Sequence, residues 1–182
     1  MKHKRYYYGI IGVSAVGLIV VLSFINLWYR SRQDAGTIIA HDIVLLRDIF
    51  HKIHQDCGII DFDAQKNPIN FLNVEKFSGS EVGPMNLMYP DRWKGPYLQD
   101  NPTIYHIAYQ VVSTKNGYFI MPGDGVCLPN KKVIGTDIIV DKKTDIEAMI
   151  QDNTLLRYQD QPLAARLELG AAAQIQFFFD VD

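Results

Sequence analysis

From Tyr8 to Trp28 the chain runs YGIIGVSAVGLIVVLSFINLW without a charged residue. At about 1.5 Å per residue a helix of this length matches the roughly 30 Å hydrocarbon core of a bilayer. A backbone in lipid has to satisfy its own hydrogen bonds, so a helix is expected despite Gly9, Gly12 and Gly17. Tyr6, Tyr7 and Tyr8 at one end, and Trp28 and Tyr29 at the other, sit where amphipathic rings meet headgroups. A cleaved signal peptide would have a shorter apolar region and a small-residue cleavage site, whereas this run ends in LWYRSR. Lys2, Lys4 and Arg5 precede it, Arg30 and Arg32 follow, and the balance of positive charge puts the N-terminus inside. The expected organisation is a cytoplasmic N-terminus over 1–7, a transmembrane helix over 8–29 and an extracytoplasmic globular domain over 30–182.

Every acidic residue lies after Arg32, together with most of the Lys and Arg, so the globular part carries a formal charge of about −7. That argues against a nucleic-acid partner. A part of roughly 150 residues is in the usual single-domain range and buries one core without staples. Two cysteines are too few for a disulfide scaffold. In an oxidising compartment Cys57 and Cys127 are the candidate bridge, worth up to about 4 kcal/mol through its closed loop. Two buried free thiols are the plain alternative.

After a polar joint, Ser31 to Gly36, apolar residues recur at Ile39, Ile43, Leu46, Phe50, Ile53 and Cys57, which is the stripe of an amphipathic helix ending at Gly58. From Ile59 to Pro102 repeated Pro and Gly break any period, and Phe71, Phe77, Trp93 and Tyr97 argue for an ordered loop region with short elements. Ile104 to Ser113 reads as a strand, and Asn116-Gly117 as the turn of a hairpin into Tyr118 to Met121. Val126 to Leu128, Lys132 to Ile134 and Asp137 to Val140 read as further strands of an antiparallel meander. Thr144 to Gln151 has the capping-box spacing to Glu147 of a short helix. Leu163 to Leu169 and Gln174 to Val181 close the chain as strands. The fold class is α+β: a long N-terminal helix, membrane half plus amphipathic half, packed on a C-terminal antiparallel sheet.

Little in the sequence demands chemistry. Asp48, His51 and His54 share a helix at metal-ligand spacing but fall off the apolar stripe, as solvated residues do. Asp61, Asp63 and Asn67 make part of a calcium loop without its central glycine or terminal glutamate. Asp141, Asp145 and Glu147 fit a solvated turn and helix start. No nucleophile elbow, phosphate loop or dinucleotide fingerprint is present. The expectation is a protein that is not an enzyme and needs no cofactor or metal.

Trp93-Lys94-Gly95-Pro96-Tyr97-Leu98 is similar to the Trp-x-Gly-Pro-Tyr-Leu segment that major pseudopilins carry between helix and sheet, and Ala40 to Arg47 is similar to the start of that family's exposed helix half. With the order of helix, loop region and sheet, the chain resembles a type IV pilin or type II secretion pseudopilin. The resemblance implies a pilin-like fold and a non-enzymatic subunit or accessory of a bacterial secretion or pilus-type filament. It also implies a single-pass place in the inner membrane with the C-terminal domain periplasmic. Its expected partners are the membrane and other pilin-like subunits or inner-membrane secretion proteins. It would put prepilin cleavage after Gly9, with Ser14 where the family has a glutamate. The competing expectation is an uncleaved single-pass periplasmic sensor or assembly module that binds a protein partner.

Overall fold

The computed structural model describes the backbone of residues 2–169 and the side chains of residues 17–25 and 35–169. The first helix, α1, spans Lys2–Cys57. Its end is set locally. Gly58 adopts a positive φ of 65° and its amide donates to the carbonyl of His54 at 2.9 Å, while the Ile59 amide donates to His54 Nδ1 at 3.1 Å.

The strands that follow are short. β1 (Ile59–Phe62), β3 (Glu81–Val82) and β4 (Met85–Leu87) form one antiparallel sheet in the order β1-β4-β3. β2 (Lys66–Pro68), β6 (Ile107–Thr114), β7 (Gly117–Pro122) and β10 (Ala165–Leu167) form the main sheet in the order β10-β7-β6-β2, with β5 (Thr103–Ile104) also paired to β6. β8 (Arg157–Tyr158) and β9 (Gln161–Pro162) make a separate hairpin. The second helix, α2, covers Ile146–Gln151, and Asp145 caps it by accepting from the Ala148 amide.

The six stripe residues of α1, from Ile39 to Cys57, are all fully buried. Phe50 is their hub. Its ring lies 6.1 Å from Phe62 and 6.2 Å from Phe71, and Phe62 lies 5.1 Å from Tyr118, so one chain of rings joins α1, β1, the following loop and β7. A polar tie runs beside it: the Tyr109 hydroxyl on β6 donates to Asp42 Oδ2 at 2.7 Å. Burial, with Asp42 adding to it, pushes the Tyr109 phenol far above its ordinary range.

Among the described residues no helix is long and apolar enough to cross a membrane. The apolar side chains described between Gly17 and Ile25 cover about 13 Å of helix, under half of a hydrocarbon core. The flanking side chains of the expected 8–29 span lie outside the described residues. The absence of such a helix among the described residues overturns the expected transmembrane helix over 8–29, and with it the single-pass membrane topology and the inner-membrane location with a periplasmic domain. The α+β, pilin-like fold of a membrane-plus-amphipathic helix on one C-terminal sheet is also overturned. The strands divide among small sheets, and one of them, β1-β4-β3, is built from short elements of the Ile59 to Pro102 region rather than from the C-terminal part.

The expected Ile104 to Ser113 strand is broken, because Tyr105 and His106 both take positive φ, of 53° and 64°, and turn β5 back onto β6. The predicted hairpin into Tyr118 is present with its turn one residue earlier: Thr114 faces Gly117 across Lys115 and Asn116. The three meander strands reduce to single bridges, Cys127 to Val133 and Ile134 to Ile138. The expected Gln174 to Val181 strand lies outside the described residues.

α1 continues through Gly36. A Cβ there would stand 2.3 Å from the Tyr158 ring and 2.8 Å from Pro129, so the missing side chain lets the β8-β9 hairpin close onto the helix. Gly36→Ala is accordingly expected to lower stability by about 1–3 kcal/mol through overpacking, overriding the roughly 1 kcal/mol that alanine adds to helix propensity. A variant that melts higher than the parent would show that Tyr158 is not seated there. Phe50→Ala is expected to cost about 3–5 kcal/mol in chemical denaturation, and His51→Ala, on the exposed face, under about 0.5 kcal/mol.

Candidate functional site

The Trp93 to Leu98 segment closes the lower end of the helix. It follows a 3₁₀ turn, Pro90–Arg92. The Trp93 indole N–H donates to the Val74 carbonyl at 3.0 Å. The Trp93 ring stands edge-on to Phe77 at 5.4 Å and to Tyr97 at 4.8 Å. The amides of Tyr97 and Leu98 both donate to the Leu72 carbonyl. Gly95, joined to Pro96 by a cis peptide bond, has room for no side chain, since a Cβ would stand 2.3 Å from the Val74 carbonyl. Lys94 pairs with Asp56 at 3.0 Å and Lys52 lies over the Tyr97 ring, both from the last turns of α1. All five motif residues, Trp93, Gly95, Pro96, Tyr97 and Leu98, thus belong to one brace that ties residues 71–77 to the helix end.

Cys57 sits under this brace. Burial pushes the pKa of both the Cys57 thiol and the neighbouring Tyr97 hydroxyl above their ordinary values, so both hold their protons more tightly, as expected of groups drawn out of water. Cys127 is half-buried on the bridge to Val133, with its thiol toward the Leu128 carbonyl. Cys57 and Cys127 are both free thiols in this structure.

The other sequence candidates are not gathered into a site. His51 hydrogen-bonds Gln55 at 2.8 Å, Asp48 pairs with Arg47, and His54 faces the start of β1. Asp61 and Asp63 both accept from the Asn86 amide, while Asn67 is buried and bonds the Ala64 backbone. Asp141 closes a turn with Thr144, whose hydroxyl holds the carboxyl below its ordinary range, and Glu147 pairs with Arg166 at 2.8 Å. Among the described residues no group of three or more His, Cys, Asp or Glu is placed to hold a metal. A hollow of about 250 Å³ between α1 and β10 is lined by Arg47, Asp48, His51, Arg166 and Glu168. Acids and bases nearly balance there: Arg47 and Asp48 pair with each other, while His51 and Arg166 have partners elsewhere, in Gln55 and Glu147. Gly9, the expected cleavage point, lies where side chains are outside the described residues.

A further surface was not singled out by motif reasoning. Leu18, Ile19, Val20, Val21, Leu22, Phe24 and Ile25 on α1 are between 47% and 75% exposed. At 100° per residue these positions point to every side of the helix. The signal for it was the same uncharged run that suggested a membrane span.

Comparisons of the chain with protein families, with curated proteins and with solved structures found no match. The resemblance to pseudopilins therefore rests on the residues quoted from the sequence.

Removing the Trp93 ring is expected to free the loop without unfolding the core. In Trp93→Ala, trypsin should cut after the exposed Lys76 in the folded protein, at a rate well above the parent's, and equal rates would show that the aromatic stack does not hold the loop. His54 supplies a pH test. Burial, then the neighbouring His51, lowers its affinity for a proton in the fold, so the unfolded chain binds protons more readily. Stability is expected to fall as pH drops through about 6.5 and below, and His54→Gln should show a smaller loss of melting temperature between about pH 7.5 and about pH 5.5. An unchanged pH dependence would place the titration elsewhere.

Proposed function

We propose that the chain is a non-enzymatic assembly subunit, of the pilin or pseudopilin kind that its Trp93 to Leu98 segment resembles, working in a bacterial type II secretion or type IV pilus-type filament system. In this reading α1 supplies the lateral packing and the folded part presents a surface to partners. The observation that carries the reading is the exposed apolar run from Leu18 to Ile25. A helix that is apolar on every side is ordinarily buried, and an uncovered apolar surface of this kind marks an interaction site. A single groove would cover one side of it. Neighbouring copies of the same helix, arranged around it, cover all sides at once. The brace at Trp93 supports the same reading from the other end of α1, because a subunit held by its helix needs the folded part rigidly fixed to that helix.

Sedimentation velocity of the full chain tests this. The parent protein is expected to sediment as oligomers at micromolar concentration, and a variant with Leu18, Val21, Leu22 and Ile25 all changed to Ser is expected to sediment as a monomer with an unchanged melting transition of the folded part. A parent that stays monomeric, or a variant that still assembles, would refute the proposal.

A further inference from the structure

We draw no further inference here: the strongest candidate, the apolar run Leu18 to Ile25 on α1 with the open surface at Gly17 beside it, is the one already assigned to assembly, and nothing in the structure shows what covers it.

Discussion

Phe50 and its neighbours on one face of α1 are the constraint on which the rest of the structure depends. Ile39, Ile43, Leu46, Phe50, Ile53 and Cys57 lose all contact with water, and β7, β9 and β10 lie against the helix that carries them. Short strands suffice for that purpose. β1 and β2 hold few residues each, and none of the small sheets would persist alone, since two or three short strands need a packed face to be stable. The ring contacts from Phe71 through Phe50 and Phe62 to Tyr118 give them that face, and the Tyr109–Asp42 hydrogen bond fixes where β6 crosses the helix.

Two glycines of α1 differ in a telling way. At Gly36 the absent side chain is filled by Tyr158 and Pro129. At Gly17 nothing lies within 4 Å of where a Cβ would be, although glycine costs the helix about 1 kcal/mol relative to alanine. The first glycine is explained within the molecule, while the second stands beside apolar side chains that the folded part does not reach. α1 thus has one segment that the fold covers and another that no described residue covers, and it is this contrast on which the proposed assembly role rests.

The buried stripe of α1 was readable from spacing alone, because steps of three and four on one helix face have a single physical meaning. So was the β6–β7 hairpin, to within one residue of its turn. The sheets beyond it were not. Expected strand residues such as Val126 and Ile138 are buried, yet they are held by turns and isolated bridges rather than ladders, and apolar patterning reports burial without reporting pairing. The break at Tyr105 and His106 was hidden for another reason: positive φ is uncommon for residues other than glycine, and here it accompanies the turn that brings β5 back onto β6. Within the candidate site the aromatic segment from Trp93 to Leu98 was legible, but its function as a brace was not, because Val74, Leu72 and Asp56, its partners, are scattered along the chain. The uncharged run reads as a bilayer span on length and composition, features that lipid and an apolar protein neighbour select alike.

Amide hydrogen exchange along α1 tests most directly whether its two segments are covered from different sources. In protein diluted to the monomer, the amides between Ile39 and Cys57 should exchange only with global unfolding, and those between Leu18 and Ile25 orders of magnitude faster, slowing on assembly. Equal protection of both segments in the monomer, or no slowing of Leu18 to Ile25 at concentrations where the chain assembles, would contradict the division of α1 into an internally packed half and an assembly half.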